Sequence, residues 1–196
     1  PIQIGYDDRY FNDTYQAMPK EGYAKMFGEI LNHPNIEVKL STHFQDISNP
    51  NDFKKIIYTG PIDEYFDFRH GELPYRSIRF EFLTHNTEYL QKVGTMNFPG
   101  FEFQHTRMTE FKHLTFQKNS KTTICSEYPE AYNSKKNLPY YPIPTPENKK
   151  LLNRYKADAV KIKDRVAFVG RLADYQYFNM DQAVARGLQF FQKELI

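Results

Sequence analysis

Four short segments rich in β-branched and aromatic residues follow one another between residues 78 and 127, with no helical periodicity between them. In the first, Ile78, Phe80 and Phe82 face one way while Arg79 and Glu81 face the other, which is typical of a half-buried strand. Strands that follow each other without crossover helices pair in antiparallel fashion, so the sequence predicts an α+β fold, a mostly antiparallel β-sheet with flanking helices. The other three strands are predicted over residues 95–98, 107–116 and 122–127, with a turn at 118–121.

The segments outside this run alternate between helical and strand periodicity. Prolines and glycines separate them, because these residues interrupt regular structure. In chain order, we predict a helix over residues 23–31 ending before Pro34, a strand over 36–40, a loop over 41–52 with room for one helical turn, a buried strand over 55–60, a short helix over 63–68 and a helix around 151–159.

The last thirty residues combine a strand, a glycine, an arginine and a helix. Residues 166–169 are predicted to form a buried strand, Gly170 permits close approach of a ligand or backbone, and Arg171 follows it. A helix then begins near Met180. Such a connection can hold a phosphate, since first-turn amides and a guanidinium both favour an anion. An ordinary strand-to-helix connection with a surface arginine explains the same residues. The helix is predicted to bury one face, formed by Met180, Ala183, Val184, Leu188, Phe191 and Leu195.

Composition narrows the classes of function. The 196 residues are enough for a domain with a real core, and the net charge of +2 is small. Lysines and arginines are spread among acids, so we expect no nucleic acid partner. The lone Cys125 excludes an internal disulfide and suits the cytoplasm. No stretch reaches the roughly 18 apolar residues that would predict membrane insertion. Because the chain starts at Pro1 without a methionine, we expect it to be part of a longer protein.

Several kinds of chemistry find no support in the sequence. The six histidines are scattered and lack the spacing of metal ligands, so no metal site is predicted. Neither a Gly-x-Ser-x-Gly motif nor a Gly-x-Gly-x-x-Gly motif is present, so any dinucleotide site must lie largely upstream. What remains is a set of tyrosines together with Arg76, Arg107 and Arg171, each predicted at or beside a strand end. These side chains suit a nucleotide diphosphate, although surface ion pairs are the alternative.

The chain resembles the bacterial UDP-galactopyranose mutases along nearly its whole length. The C-terminal stretches 170–172, 175–177 and 180–182 are similar to the flavin-binding signature of that family. Other stretches match in the same order, and so many ordered matches are far more specific than any one of them. These are residues 10–19, 58–67, 75–77, 106–107, 127–129 and 139–143.

The resemblance implies roles for particular residues. It places Arg107 on the substrate pyrophosphate, Asn97 near the sugar and Glu127 in the same cleft. It also places Tyr15, Tyr177 and one of the pair Tyr140 and Tyr141 on the pyrophosphate. The implied cofactor is FAD, active in its reduced form, with most of its site outside this chain. The implied cofactor-binding residues are Arg76, Gly170, Arg171, Met180 and Asp181.

The implied reaction interconverts UDP-galactopyranose and UDP-galactofuranose for surface polysaccharide synthesis, with no net redox change. In the family, N5 of the reduced flavin attacks the anomeric carbon and displaces UDP. The substrate is therefore UDP-galactose, and a homodimer is compatible with the resemblance. On this basis residues 1–164 are expected to form the substrate-binding region, and 165–196 to supply a strand and helix to the FAD-binding domain. We expect these residues alone to be inactive.

Two positions depart from the family pattern. Asn179 stands where the family usually has aspartate, and Gln104-His105 stands where Pro-Tyr is common. These departures leave a second interpretation open: a non-catalytic module on the same scaffold that binds nucleotide sugars or a protein partner. A third interpretation, a different flavin oxidoreductase sharing only the C-terminal tail, does not account for Arg107 or for residues 139–142.

Overall fold

The computed structural model describes residue 6 and residues 13–196. Its α-helices and strands appear in mixed order, and two single turns of 3-10 helix lie at Phe44–Asp46 and Pro50–Asp52. The strands are β1 (Ile56–Tyr58), β2 (Tyr75–His85), β3 (Thr95–Asn97), β4 (Arg107–Glu110), β5 (Thr122–Ala131), β6 (Tyr141–Pro142) and β7 (Val166–Phe168). The helices are α1 (Gly22–Leu31), α2 (Ile62–Tyr65), α3 (Lys112–Thr115), α4 (Pro146–Lys161) and α5 (Met180–Glu194).

Five strands form one antiparallel sheet in the order β3-β4-β5-β2-β6. Its spine is the long pair β2 and β5, whose register runs from Arg76 opposite Ala131 to His85 opposite Thr122. This sheet, with helices flanking it, confirms the predicted α+β class. The predicted strand over 78–82 is longer than expected and extends to both sides, because β5 offers a continuous partner.

A second, smaller sheet consists of β1 and β7, which run parallel with Ile56 opposite Val166 and Tyr58 opposite Phe168. Parallel strands are normally buried among neighbours on both faces. Here the pair is joined by no third strand among the described residues. The expected substrate-binding region, residues 1–164, contains β1, whereas β7 lies in the expected FAD-binding part, residues 165–196. This sheet therefore contains one strand from each region. The division itself stays a prediction.

The core lies between α2, α4 and the turn after β7. Its fully buried members include Ile62, Leu73 and Tyr155. Tyr155 also satisfies its hydroxyl by donating to the Gly71 carbonyl at 2.7 Å. The predicted helix around 151–159 is confirmed, and Thr145 caps it by accepting the Asn148 N–H at 3.2 Å. This core fixes the turn after β7 against the start of β2.

Two predicted strands need correction. Residues 36–40 alternate in sequence but form no strand, because no neighbouring strand among the described residues pairs with them. The strand predicted over 107–116 ends at Glu110, and α3 follows it. Lys112 causes part of this change: its buried ammonium donates to the carbonyls of Glu88 and Asn119, each at 2.6 Å, which draws the chain inward.

Two predicted apolar faces are exposed in this chain. Phe80 and Phe82 lie on an open face of the sheet and are 38% and 64% exposed, so the strand is not half-buried as predicted. Along α5 the buried residue is Phe190, whereas the predicted face is largely exposed at Met180, Val184, Leu188, Phe191 and Leu195. The periodicity therefore identifies an apolar face correctly, but nothing in the described part of the chain covers it. No described helix is long and apolar enough to cross a membrane.

A buried carboxylate holds the loop before β3. Glu110 is 0% exposed and accepts hydrogen bonds from the N–H of Gln91 at 2.7 Å, the N–H of Leu90 at 3.1 Å and the Thr122 hydroxyl at 2.6 Å. Burial opposes ionisation, but the hydrogen bonds from Thr122 and from these two N–H groups outweigh it and lower the pKa of Glu110. The ionised form is therefore the one that stabilises the fold.

We expect Glu110→Ala to lower the free energy of unfolding by about 3 kcal/mol, because it leaves two buried donors and one partly buried donor without their partner. Urea unfolding of the chain measures this loss. Glu110→Gln is the control, since its amide oxygen still accepts the backbone N–H groups. Because the folded pKa is below the unfolded value, the stabilisation is present above the unfolded pKa and lost as pH falls through the folded one. Glu110→Gln should weaken that acid dependence; an unchanged dependence would contradict this account.

Candidate functional site

Three predicted substrate-binding residues lie side by side on adjacent strands. Asn97 on β3 is directly opposite Arg107 on β4, which is directly opposite Glu127 on β5. Residues directly opposite each other in an antiparallel sheet point to the same face. The Arg107 Nε donates to the Asn97 Oδ1 at 3.0 Å, and an Arg107 terminal nitrogen lies 3.9 Å from a Glu127 carboxylate oxygen. We call Asn97, Arg107 and Glu127 the polar row.

The polar row presents a positive charge that remains accessible. The Arg107 side chain is 36% exposed, whereas the Glu127 side chain is 18% exposed. Asn97 accepts from the Nε alone, and the nearest Glu127 oxygen is 3.9 Å from a terminal nitrogen, whereas a guanidinium has five N–H donors in a planar fork. Arg107 therefore keeps donors that can meet a phosphate or carboxylate approaching the sheet.

Phe80 extends this face toward β6. It lies opposite Glu127 on β2, and its ring meets the Tyr140 ring edge-on with centroids 5.5 Å apart. Phe80 was not predicted as a site residue. The alternation along residues 78–82 placed it on this face, but the same alternation was interpreted as core packing. The exposed ring now forms the floor between the polar row and Tyr140.

A second group of predicted residues gathers around Arg171. The Tyr141 and Tyr177 rings stack with centroids 5.7 Å apart, and the Arg171 guanidinium carbon lies 5.1 Å from one centroid and 4.5 Å from the other. Cation–π attraction of this kind holds a guanidinium without neutralising it. Arg171 also donates to the carbonyls of Tyr140 at 2.5 Å and Phe178 at 3.1 Å. We call Tyr140, Tyr141, Arg171 and Tyr177 the arginine–tyrosine cluster.

The choice between Tyr140 and Tyr141 stays open, because both join the cluster. Tyr140 contacts Phe80 with its ring and Arg171 with its carbonyl, whereas Tyr141 contacts Arg171 with its ring. Arg76 is connected through the same backbone: it lies opposite Tyr141, and its carbonyl accepts the Tyr140 N–H at 3.0 Å. The backbone of one residue, Tyr140, therefore links the Arg76 carbonyl to the Arg171 side chain.

Gly170 lies at the carboxyl end of β7, beside the end of β1. Its φ of +111° is one that side chains rarely adopt, and a Cβ added there would meet only open space. The Val169 N–H donates to the Tyr58 carbonyl at 3.1 Å, which keeps the two strand ends together. Ligands of parallel sheets bind at these carboxyl ends. This open, glycine-lined edge fits the approach of a flat or phosphorylated cofactor such as a flavin nucleotide.

The turn after Gly170 is braced from behind. The Gly170 N–H donates to an Asp174 carboxylate oxygen at 3.1 Å. Arg186 on α5 makes a two-pronged contact with the same carboxylate, at 2.9 and 3.2 Å. Sequence reasoning did not identify Asp174 or Arg186 as part of this region. Their spacing of twelve residues across a loop gave no periodic signal.

The start of α5 brings Met180 and Asp181 to an exposed position near this turn. Asn179 is the N-cap residue, and its N–H donates to the Gln182 side chain at 2.9 Å. Asparagine caps helices about as well as aspartate, so this departure from the family pattern preserves the helix start. Asp181 places a negative charge in the first turn, which makes this N-terminus a poorer phosphate site than the neighbouring Arg171.

Tyr15 is not brought into either group. It is 93% exposed and makes no hydrogen bond or ring contact with the polar row or the arginine–tyrosine cluster. Part of the similar stretch 10–19 lies outside the described residues. The role predicted for Tyr15 stays a prediction.

His105, the second unusual position, lies among aromatic rings. Its ring centroid is 4.5 Å from that of Phe98, 5.7 Å from Phe103 and 6.1 Å from Tyr128. The imidazole thus keeps the aromatic packing that a tyrosine would provide. Gln104 is exposed beside it.

The described residues contain no cluster of three potential metal-ligating side chains. Burial raises the pKa of the Cys125 thiol.

Comparison with known proteins agrees with the resemblance. The sequence profile of the UDP-galactopyranose mutase family matches residues 1–177. A probable UDP-galactopyranose mutase of Klebsiella pneumoniae is 35% identical, over 96% of this chain and 48% of the relative. The UDP-galactopyranose mutase of Mycoplasma genitalium is 34% identical, over 99% and 51%. A dTDP-fucopyranose mutase of Escherichia coli is 30% identical, over 98% and 52%.

A crystal structure of reduced UDP-galactopyranose mutase shares the fold, with a TM-score of 0.58 and 14% identity, over 74% of this chain and 42% of that one. The chain spans about half the length of the curated relatives it matches. The profile covers most of the chain, including the polar row and the arginine–tyrosine cluster. The chain therefore belongs to the UDP-galactopyranose mutase family.

Proposed function

We propose that this chain is the substrate-binding part of a flavin-dependent mutase that interconverts UDP-galactopyranose and UDP-galactofuranose. The observation that carries the proposal is one continuous open face. It runs from the polar row across Phe80 to the arginine–tyrosine cluster, and its residues come from six separate segments of the chain. The Arg107 guanidinium and the tyrosine hydroxyls on this face suit the charged oxygens of a nucleoside diphosphate.

The polar row would bind the departing diphosphate. Arg107 supplies fixed positive charge where negative charge grows as the sugar–phosphate bond breaks, and electrostatic stabilisation of that kind contributes most of the rate enhancement in many enzymes. Asn97 holds the guanidinium by its 3.0 Å hydrogen bond and so keeps the charge in place. Glu127 lies on the far side of Arg107, where its carboxylate can meet sugar hydroxyls.

The arginine–tyrosine cluster would complete the site. Tyr177 and one of Tyr140 and Tyr141 would donate their hydroxyls to the pyrophosphate, and Tyr15 would join them from the N-terminal segment. Arg171, packed against two rings, would stay charged and oriented with little side-chain freedom to lose on binding. The chain's own residues thus bind, orient and retain the UDP group during rearrangement.

Reduced FAD, when bound, would supply the nucleophile that opens the sugar–phosphate bond. The residues that would hold it are Arg76, Gly170, Arg171, Met180 and Asp181. The open Gly170 edge and the Tyr140 backbone, which contacts both Arg76 and Arg171, support this assignment. Residues 165–196, with β1 beside them, would form the part of the FAD-binding domain that this chain contributes.

The wider setting follows from the same proposal. The product would serve cell-surface polysaccharide synthesis, and the buried, unpaired thiol of Cys125 supports a cytoplasmic location. A homodimer is part of the same proposal. The profile match and the mutase names of the relatives favour catalysis over a non-catalytic binding module.

A second nucleotide sugar needs a direct test, because one relative is named a dTDP-fucopyranose mutase. The complete gene product that carries these residues is incubated with FAD and dithionite. Parallel samples receive UDP-galactofuranose or dTDP-fucofuranose, and chromatography resolves the nucleotide sugars. We expect conversion of the UDP sugar to its pyranose form, in preference to the dTDP sugar.

Each other outcome has a distinct meaning. Preference for the dTDP sugar would show that the protein is a mutase whose substrate is a fucose nucleotide and not a galactose nucleotide. No conversion of either sugar, with UDP still bound, would contradict the mutase and support the binding module. Omitting dithionite is the control, since activity should require the reduced flavin.

A further inference from the structure

Asp63 is a buried acid to which the proposed function gives no role. It lies at the start of α2, just beyond β1, and is 1% exposed. Its Oδ2 accepts the Leu73 N–H at 2.7 Å, whereas its buried Oδ1 meets no hydrogen-bond donor in the described part of the chain. Burying a carboxyl costs free energy unless hydrogen bonds offset the loss of water, and here the one from Leu73 does so. Its burial therefore indicates a role for the hydrogen bond that it makes.

The hydrogen bond from Leu73 starts a short bridge. In the segment 73–75, Leu73 is held by Asp63, the Pro74 carbonyl accepts the Tyr175 hydroxyl, and the Tyr75 hydroxyl donates to the Leu172 carbonyl at 3.3 Å. All three residues are in or beside the core, and Leu73 is fully buried. Asp63 is thus tied through three consecutive residues to the turn that follows β7.

Both ends of this bridge adjoin arginines assigned to the cofactor. Arg76 is the residue after Tyr75, and Arg171 is the residue before Leu172. The Tyr140 backbone also contacts both residues, through its N–H to the Arg76 carbonyl and through its carbonyl to the Arg171 side chain. A shift of segment 73–75 would therefore move both guanidinium groups together.

We propose that Asp63 is a positioning residue that holds Arg76 and Arg171 in place for the flavin through the segment 73–75. The proposal rests on the proposed function, because it concerns residues assigned there to FAD. Asp63 touches neither cofactor nor substrate, and its effect passes through the Leu73 N–H. The required group is the hydrogen-bond acceptor, so asparagine should replace aspartate and leucine should not.

The first test needs no cofactor. Hydrogen exchange of the chain is followed by mass spectrometry over residues 170–176 in the unsubstituted protein, Asp63→Asn and Asp63→Leu. We expect exchange to be about 10-fold faster or more in Asp63→Leu, because a lost hydrogen bond loosens the turn locally. Asp63→Asn should match the unsubstituted protein. Unchanged exchange in Asp63→Leu would overturn the proposal.

A matched control separates positioning from general stability. Thr122 is also buried and donates its hydroxyl to Glu110 at 2.6 Å, but it lies opposite the other end of β2. Thr122→Val should lower the melting temperature and leave exchange over residues 170–176 unchanged. If Thr122→Val speeds that exchange as much as Asp63→Leu, the effect is global and the proposal fails.

The second test measures FAD affinity in the complete gene product by flavin fluorescence, well below the melting temperature. We expect Asp63→Leu to raise the dissociation constant about 10-fold, with Asp63→Asn and Thr122→Val near the unsubstituted value. An unchanged constant in Asp63→Leu would overturn the role toward the cofactor. Failure of the unsubstituted protein to bind FAD would instead overturn the proposed function. The hydrogen-exchange experiment would still test whether Asp63 holds the turn after β7 through segment 73–75.

Discussion

Arg107→Ala is expected to lower kcat/KM of the complete gene product by about 10²–10³-fold, because it removes the charge that meets the departing diphosphate. Arg107 is placed for this by its neighbours: Asn97 accepts from its Nε at 3.0 Å, and Glu127 lies beside it. Its removal also leaves Glu127 as an uncompensated negative charge on the substrate face. Initial rates of UDP-galactofuranose conversion measure the effect.

Arg79 provides the matched control for this prediction. It projects from the other face of the same sheet, where it contacts Glu130 at 3.2 Å and lies over the Tyr128 ring. Arg79→Ala should leave kcat/KM within about twofold, since exposed ion pairs contribute little. Arg107→Lys should recover only part of the activity, because it keeps the charge but loses the planar fork. Full activity in Arg107→Ala would show that the polar row is not part of the substrate site.

The second large effect concerns these 196 residues on their own. Unlike the complete gene product, we expect them to retain no FAD and to convert no substrate. The parallel pair of β1 and β7 has no third strand among the described residues, and α5 leaves most of its apolar stripe uncovered. The chain also lacks the glycine-rich motif that binds dinucleotides. The Gly170 edge alone offers too few contacts to retain FAD.

Gel filtration after incubation with FAD measures this directly. We expect the chain to elute without visible flavin absorbance and to convert no UDP-galactofuranose in the presence of dithionite. The complete gene product, treated in the same way, is the control and should elute yellow. A yellow, active chain would show that the cofactor site is contained within residues 1–196.

The antiparallel sheet could be predicted because its information is local. Alternation along residues 78–82 and the β-branched segments that follow indicate where the strands lie, and the absence of long crossover helices between them predicts antiparallel pairing. The polar row also followed from sequence, through family resemblance. Its geometry adds that Asn97, Arg107 and Glu127 are direct neighbours across three strands.

Other features depend on contacts between distant residues, which a single sequence does not reveal. α3 replaces the end of a predicted strand because the buried side chains of Glu110 and Lys112 hydrogen-bond to the backbone of the loop before β3. Glu110 accepts the Gln91 N–H, and Lys112 donates to the Glu88 carbonyl. Residues 36–40 alternate correctly but lack a partner strand among the described residues. Periodicity predicts that Phe80 and the apolar face of α5 are buried in the core, but both are exposed here. Periodicity identifies an apolar face and does not reveal what covers it.

The arginine–tyrosine cluster shows the same limit within the site. Arg171 and Tyr140 are thirty-one positions apart, and their contact depends on how the turn after β7 packs against β6. Asp63 was visible in sequence only as the start of a short helix. Its hydrogen bond to Leu73 and the bridge to Leu172 appear only once the core has formed.

In the proposed site, the polar row and the tyrosines of the arginine–tyrosine cluster bind one diphosphate. The most direct measurement is calorimetry of UDP and UMP binding to the complete gene product and to its Arg107→Ala and Tyr177→Phe variants. We predict that the unsubstituted protein binds UDP at least about 10-fold more tightly than UMP, and that each substitution removes most of this preference. A preference for UDP that persists in both variants would contradict the account.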